Sequence, residues 1–326
     1  HDYWMRTGNP PPANPKTKSY TTEDRQKEAN RLFELLHTKY DQGEYLRIGA
    51  AYQLAALGDA CLSMSLLGNA LLNERENVRR AASYGLVAVG SDSSDIFMEA
   101  TKSTNKWIRK AGVFGLGSVS FLTKEVLKAV VKCLKEDTSV YVRSVAADTL
   151  GCLCRRAIAK KIGVDLVPNC LKALLESLAT EENRIAMNIS QGRSIKFVRP
   201  TDDCDVCEGN GVDFGLARFE KVRSVVRENA LSSIVMISSH GPEVLGSALE
   251  QTIVDLKNIV ATDKNVISVG FAMDALNRLA SISENQTTST SIIKDLQKTM
   301  LNIQNESPIY CAESLVRCSY KTFWCF

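Results

Sequence analysis

The stretch that decides the fold is Glu74-Arg75-Glu76-Asn77-Val78-Arg79-Arg80-Ala81-Ala82-Ser83-Tyr84-Gly85-Leu86. From Val78 onward it reads as an apolar residue, an arginine, two residues, a small residue, three residues and an apolar residue. The same order of residue types returns around Arg47, Arg109, Arg143 and Arg227, and the copy around Arg47 is the weakest. Successive arginines are 32, 30, 34 and 84 residues apart. A period of roughly 30 to 34 residues indicates an array of helical repeats.

The spacing inside the motif has a mechanical meaning. Residues at i, i+4 and i+8 lie on one face of a helix, so the apolar and small residues form a single buried stripe. The small residue of each copy lets a neighbouring helix approach closely, and these residues are Ala82, Gly112, Ala146 and Ala230. The arginine lies one position off the stripe, where it can reach a carboxylate or a helix C-terminus in the adjoining repeat. We therefore predict a structural role for Arg47, Arg79, Arg109, Arg143 and Arg227.

These copies resemble HEAT repeats, in the short form that is also found in the phycobilisome-lyase HEAT-like family. The resemblance covers residues 44–279 and is interrupted between Arg143 and Arg227. It implies an all-α fold, a right-handed α-solenoid of HEAT-like helical hairpins with one inserted loop. The interval of 84 residues is interpreted as two repeats plus that loop.

The chain divides into five segments on this interpretation. Residues 1–20 form a Pro-rich extended arm, and residues 21–43 form an N-terminal capping helix that Gly43 ends. HEAT-like repeats follow over 44–180, an inserted loop over 181–215, and further repeats with a C-terminal cap over 216–326. The arm is either a disordered leader or a segment that anchors a partner through its aromatic end.

Two groups of residues are candidates for partner binding. The first is the aromatic end of the arm, Tyr3, Trp4 and Met5. The second lies in the inserted loop, where residues 194–199 alternate polar and apolar like a short strand. Its candidate residues are Arg193, Lys196, Phe197 and Arg199. Insertions in repeat arrays often project from the binding face, so we expect both groups to contact a partner.

Composition excludes several functional classes. The chain has 40 basic and 37 acidic residues, a net charge of +3, which argues against a general binder of nucleic acid or membrane surfaces. It has no apolar run of about 18 residues, so no transmembrane helix is expected. Several of the ten cysteines fall inside helical patterns, which favours an intracellular, reducing compartment. Because the sequence begins at His1 rather than Met, a removed targeting peptide stays possible.

The sharpest local motif is Cys204-x-x-Cys207-x-Gly209-x-Gly211. It resembles one zinc knuckle of DnaJ-type chaperones, but only one knuckle is present. A closed structural zinc site needs four ligands, so Cys204 and Cys207 would require two distant partners. A reversible disulfide and a plain Gly-rich loop with free thiols are the other two interpretations. No other cofactor is expected.

No catalytic signature is present: there is no G-x-S-x-G, no P-loop, and no G-x-G-x-x-G after a strand. We therefore expect a non-catalytic scaffold or linker that binds protein partners within a large assembly. The family resemblance implies a photosynthetic antenna of the phycobilisome type and a plastid location. It also implies an alternative: a bilin lyase or chaperone-like factor that attaches a chromophore to phycobiliproteins. Its groove would be lined by Arg79, Tyr84, Arg109, Tyr141 and Arg143.

Overall fold

The computed structural model describes residues 21–38, 43–72, 75–190, 225–263 and 265–282, together with Lys294. Within these ranges all regular structure is helical and no strand occurs, so the predicted all-α class is confirmed. They divide into two compact units, the first ending at Ser120 and the second beginning at Phe121. The predicted arm, the predicted strand at 194–199 and nearly all of the chain beyond residue 282 lie outside the described residues.

The first unit is built from helix pairs. Its α-helices are α1 (Thr22–Leu36), α2 (Glu44–Ala55), α3 (Ala60–Leu71), α4 (Glu76–Val89), α5 (Ser94–Ala100) and α6 (Lys106–Val119). Helices α2, α4 and α6 pack in a row, α2 against α4 and α4 against α6. Helices α1, α3 and α5 pack onto α2, α4 and α6, respectively. We call the members of the row A helices and the helices that cover them B helices.

The second unit repeats this arrangement. Its α-helices are α7 (Lys124–Glu136), α8 (Val140–Lys160), α9 (Val167–Ser190), α10 (Val225–Ser238), α11 (Pro242–Leu245), α12 (Leu249–Thr262) and α13 (Val266–Ile282). The A helices are α8, α10 and α13, with α10 between the other two. The B helices α7, α9 and α12 pack onto α8, α10 and α13, respectively, and α9 also contacts α7 and α12.

The buried stripe of each A helix follows the motif. In α4 the side chains of Val78, Ala82 and Leu86 are all completely buried. In α6 the small residue is Gly112, where a Cβ atom would lie 2.8 Å from the carbonyl oxygen of Phe97 in α5. The small residue therefore lets α5 and α6 approach backbone to backbone, as the sequence predicts.

The helix starts predicted from the sequence agree with the structure better than the predicted helix ends do. Thr21, Asp59 and Thr123 are N-caps whose side chains accept a hydrogen bond from a backbone N–H in the first turn. The end of α1, however, is not at Gly43. The helix ends at Leu36, and the backbone N–H of His37 donates to carbonyls of the last turn. Gly43 instead precedes α2.

The predicted start of the inserted loop at residue 181 is wrong. Helix α9 continues through Glu181 to Ser190, ten residues into the predicted loop of 181–215. Glu181 is only 4% exposed, because its carboxylate is paired with Arg143 of α8. A polar residue that looks like loop sequence is therefore part of the packed helix. The rest of the predicted loop, from residue 191, lies outside the described residues.

The interval of 84 residues between Arg143 and Arg227 is a single step of the row, not two repeats plus a loop. Helix α10, which carries Arg227, packs directly on α8, which carries Arg143. Ser233 Oγ donates to the carbonyl of Ala147 at 2.9 Å, and fixes the two helices side by side. The extra length lies in the long helices α8 and α9 and in residues 191–224.

Candidate functional site

Four of the five repeat arginines occupy the same position in their helices. Arg47, Arg79, Arg109 and Arg143 are each the fourth residue of an A helix. Arg47, Arg79 and Arg143 are 2%, 3% and 8% exposed, and Arg227 of α10 is 5% exposed. Arg109 is partly exposed. Because a buried guanidinium is costly unless it is paired, the partners of these side chains decide what they do.

Arg47, Arg109 and Arg143 bind carbonyls just beyond the preceding B helix. Arg109 Nη1 donates to the carbonyls of Ser103 and Thr104 at 3.0 and 2.9 Å, in the turn between α5 and α6. Arg47 Nη2 donates to the carbonyl of Thr38 at 2.8 Å, just past the end of α1. The last carbonyls of a helix lack intrahelical partners and carry partial negative charge, so a guanidinium there both satisfies and stabilises them.

A second arginine reaches two of these helix ends from further along the chain. Arg75, immediately before α4, donates through Nη2 to the carbonyl of His37 at 2.7 Å. Arg184 of α9 donates through Nη2 to the carbonyl of Lys135 at 2.7 Å, near the end of α7. The ends of α1 and α7 are thus each held by one arginine of the next A helix and one arginine of the following repeat.

Two arginines also form buried ion pairs. Arg143 holds Glu181 with two donors, Nε at 2.8 Å and Nη2 at 3.2 Å, while Nη1 binds the carbonyl of Asp137 at 2.9 Å. Arg227 Nη2 lies 2.6 Å from Asp263 Oδ2, at the end of α12. The side chains of this second pair are 6% and 5% exposed. Both pairs tie an A helix to a B helix, so these arginines bind the chain itself.

The surface of the A helices in the first unit carries a row of aromatic side chains. Tyr52, Tyr84 and Phe114 are each the ninth residue of an A helix, in α2, α4 and α6, respectively. The rings of Tyr84 and Phe114 meet edge to face, with centroids 6.1 Å apart. Burial raises the pKa of Tyr52, and an electrostatic interaction with Tyr84 raises it further. We call these three residues the aromatic ladder.

The aromatic ladder is accessible from solvent. Phe114 is 37% exposed, and Tyr52 and Tyr84 are partly exposed. Two turns before Tyr52 on the same helix, Tyr45 is 87% exposed. The surface therefore combines the edge-to-face pair of Tyr84 and Phe114 with a freely exposed aromatic side chain.

Cationic side chains lie one turn before the ladder in α4 and α6. Arg80 forms an ion pair with Glu44 at 2.6 Å, and both side chains are well exposed. The ammonium group of Lys110 lies 5.5 Å from the centroid of the Trp107 ring. Apolar rings bordered by charged groups are the composition of protein-binding surfaces, where a dry centre is surrounded by a polar rim.

We did not predict the aromatic ladder from the sequence, although the sequence contains a signal for it. Each ladder residue lies five positions after a repeat arginine, Tyr52 after Arg47 and Tyr84 after Arg79. In the second unit the same position holds Asp148 in α8 and Ser232 in α10. Aligning the copies on their arginines would have shown an aromatic row confined to three consecutive repeats.

The other predicted site residues lie outside the described residues. These are Tyr3, Trp4, Met5, Arg193, Lys196, Phe197, Arg199, Cys204 and Cys207. In the described part of the chain, no three His, Cys, Asp or Glu side chains are grouped so that they could hold a metal ion.

The described cysteines differ in their surroundings. Cys61 is exposed, whereas Cys133, Cys154 and Cys170 are buried. A hydrogen bond to Cys170, and then burial, raise the pKa of the Cys154 thiol well above its usual range. The buried thiols therefore act as small apolar groups, as the sequence predicts, while Cys61 departs from that expectation.

None of the helices in the described ranges has the length and apolar character needed to cross a membrane.

The sequence matches no protein-family model and is not significantly similar to any curated protein. Among solved structures, the crystal structures of Kap121p bound to Ste12p and of Kap121p bound to Nup53p are similar. Each has a TM-score of 0.60 and 14% sequence identity, over 89% of this chain and 27% of Kap121p. The karyopherin Kap121p bound to the extreme C-terminus of the protein phosphatase Cdc14p gives a TM-score of 0.54 at 14% identity, over 87% of this chain and 26% of that one.

The chain thus spans about a quarter of the length of Kap121p. At this level of identity the similarity concerns the fold alone. Together with the stacked A and B helices, it shows that the chain has a HEAT/armadillo-like helical-repeat fold.

Proposed function

We propose that the chain is a non-catalytic scaffold that binds a segment of a partner protein along the A-helix surface of its first unit. The observation that carries this proposal is the aromatic ladder of Tyr52, Tyr84 and Phe114. Tyrosine and phenylalanine offer a large contact area with few rotatable bonds, so they bind partners at a low entropic cost. Part of each ring stays accessible to a partner, since Phe114 is 37% exposed and Tyr52 and Tyr84 are partly exposed.

The repeat geometry supports the same function. Equivalent positions of successive A helices present their side chains at a regular spacing, so one extended partner segment contacts several repeats in the same manner. The arginine contacts at the helix ends support that spacing, because Arg47 and Arg109 fix α2 and α6 against the B helix before each of them. The recognition surface is therefore preorganised, which lowers the entropic cost of binding.

The similar structures agree with a role in protein recognition. Kap121p has a similar fold over this length, and its crystal structures contain Ste12p, Nup53p or the extreme C-terminus of the protein phosphatase Cdc14p as the bound partner. A partner protein is accordingly the class of ligand that we propose for this chain.

The experiment compares two variants of the full chain in native extract. Tyr84→Ser combined with Phe114→Ser removes two rings of the ladder. Leu72→Ser is the matched control, since Leu72 is an apolar residue of the same unit that is 59% exposed at the end of α3. Each variant is followed by mass spectrometry through a density gradient.

We expect the wild-type chain and the Leu72→Ser variant to migrate with one large assembly at a constant ratio, and the ladder variant to migrate alone. Migration of the wild-type chain as a free protein would contradict the scaffold function. Co-migration of all three proteins would place the binding surface elsewhere.

The finer predictions remain proposals. That the assembly is a phycobilisome-type antenna in a plastid rests on the sequence resemblance, whereas a contact of Tyr3, Trp4 and Met5 with the partner rests on the residue types at the end of the Pro-rich arm. Zinc at Cys204 and Cys207 is a further prediction, which a metal assay on protein purified without chelator tests.

The alternative function is a bilin lyase. It is less well supported, because Arg109 and Arg143, which were expected to line the bilin groove, donate to carbonyls of the chain itself. A change in the absorbance spectrum of a linear tetrapyrrole on mixing with the purified chain would favour the lyase.

A further inference from the structure

We propose that a row of lysines on the second unit binds an acidic, extended segment of a partner protein. The row consists of Lys124, Lys128 and Lys132 of α7. Together with Lys172 of the neighbouring helix α9 we call these residues the lysine surface. The proposal goes beyond the proposed function, because the aromatic ladder belongs to the first unit and requires no acidic partner.

The three lysines of α7 share one face of that helix. They are spaced four residues apart, which places them one above another along the helix. All three are exposed, whereas the opposite face of α7 is buried through Val126 and Val130. The row therefore points away from the core of the unit.

Lys172 extends this row onto the neighbouring B helix. Helices α7 and α9 are in contact, and Lys135 of α7 forms an ion pair with Glu176 of α9. Lys172 precedes Glu176 by one turn, and Lys132 precedes Lys135 by about one turn. The exposed Lys172 therefore lies about one helical turn from the ion pair that joins α7 to α9, as the exposed Lys132 does.

Ion pairs within the described part of the chain do not neutralise the row. Hydrogen bonds, and to a smaller extent the interaction with Lys124, lower the pKa of the Glu125 carboxyl, and this interaction offsets only one charge of the row. Lys124, Lys128 and Lys132 form no ion pair with any residue that the structure describes, in contrast to Lys135. Like charges four residues apart on a helix repel each other. The isolated chain therefore bears an electrostatic cost at this surface, which an anionic partner would relieve.

The spacing of the charges fits an extended acidic peptide. Residues four apart on a helix are separated by a rise of about 6 Å. In an extended chain, every second side chain points the same way at intervals of about 6.7 Å. Carboxylates at alternate positions of such a segment would each face one lysine of the row.

A single-stranded nucleic acid fits the surface less well. Binding of unpaired strands combines a cationic groove with aromatic side chains on which the bases stack. Neither α7 nor α9 contains an aromatic residue. The chemistry of the surface therefore favours carboxylates over a nucleic acid.

The test measures fluorescence anisotropy of a labelled peptide of alternating Glu and Ser, titrated with the full chain at low ionic strength. The test variant carries Lys124→Gln, Lys128→Gln and Lys132→Gln. The control variant carries Lys27→Gln, Lys102→Gln and Lys294→Gln, three exposed lysines outside the surface, so both variants lose the same net charge. Circular dichroism verifies that each variant is folded.

We expect roughly tenfold weaker binding in the test variant, from the loss of three exposed ion pairs, and less than about twofold weakening in the control. The Tyr84→Ser, Phe114→Ser variant should bind this peptide as the wild-type chain does, which separates this proposal from the scaffold function.

Two results would overturn the proposal. One is that the wild-type chain binds the Glu-Ser peptide no more tightly than a Gln-Ser peptide. The other is that both lysine variants lose binding equally. If a thymidine oligonucleotide binds the wild-type chain more tightly than the peptide does, and only the test variant loses that binding, the surface binds nucleic acid instead.

Discussion

Replacing Arg143 with methionine removes a guanidinium that donates four hydrogen bonds, while it keeps most of the apolar stem. The wild-type side chain donates two hydrogen bonds to Glu181 and two to the carbonyls of Asp137 and Thr138. Glu181 is 4% exposed, so the substitution leaves a carboxylate inside the protein with fewer partners. Arg184 still pairs with Glu181, and offsets part of the loss.

The expected cost follows from these contacts. Breaking a buried ion pair by removing one partner costs about 3–5 kcal/mol, and the remaining contact to Arg184 places Arg143→Met near the lower end, at about 3 kcal/mol. Arg109→Met is the matched comparison, because Arg109 is partly exposed and donates to the backbone carbonyls of Ser103 and Thr104. Its loss should cost about 1 kcal/mol.

The assay is urea denaturation followed by far-ultraviolet circular dichroism, with the free energy of unfolding taken for each variant. A third protein carries Arg143→Met together with Glu181→Leu, which removes both charges of the pair. Because an apolar pair of similar volume often replaces a buried ion pair without loss, this protein should be more stable than Arg143→Met alone.

Three results would refute the reasoning. Arg143→Met would denature at the wild-type urea midpoint, or would cost no more than Arg109→Met. Alternatively, the double variant would be less stable than Arg143→Met by the full cost of a second independent substitution.

Three further predictions concern packing, titration and thiol access. Gly115→Ala should lower the free energy of unfolding, measured by thermal denaturation, by about 1–3 kcal/mol, because its Cβ would lie 2.1 Å from the phenylalanine ring of α5. Gly49→Ala, whose Cβ would have nothing within 4 Å, should raise it by up to about 1 kcal/mol. Equal effects of the two substitutions would contradict the packing. Burial raises the pKa of Tyr52, so the contribution of its neutral phenol to stability should be complete below about pH 10 and lost as the pH rises through the pKa of the folded protein. An ultraviolet titration of the wild-type chain, compared with Tyr52→Phe, should show one phenol that ionises at higher pH than an ordinary tyrosine. Iodoacetamide should label Cys61 in the native protein and Cys154 only after denaturation, which peptide mapping by mass spectrometry checks.

The periodic part of the fold was predictable because its cause is local. The apolar and small positions around Arg79 and Arg143 repeat at a helical spacing, and the repeat length then specifies stacked helix pairs. The N-caps at Thr21 and Asp59 are equally local, since each depends on a side chain and a backbone group a few residues apart.

The corrections arose where the cause was long-range. The sequence after residue 180 is polar and looks like a loop. Glu181 nevertheless belongs to the helix, where it pairs with Arg143, 38 residues earlier in the chain. The interval between Arg143 and Arg227 was misread for the same reason. Only the direct contact of α8 with α10, through Ser233 and Ala147, shows that the two arginines are neighbours in the row.

The aromatic ladder was missed although its residues are evenly spaced along the chain. A single tyrosine on a helix, such as Tyr84, is an ordinary surface residue. Its meaning appears only when α2, α4 and α6 are placed next to one another and the three rings form a row. The predicted partner-binding residues at 193–199, in contrast, fall in a segment outside the described residues and stay a prediction.

The second arginine at the ends of α1 and α7 has a consequence for how each unit opens. Arg75 binds the end of α1 across the intervening helix pair, and Arg184 binds the end of α7 from the helix after next. A repeat that detaches alone would leave carbonyls of the preceding repeat without their donor, so detachment of one repeat also weakens its neighbour. Hydrogen exchange should therefore show the amides of α1 and α4 becoming exposed with similar opening free energies, as one cooperative block, and not as a gradient of fraying from the chain end.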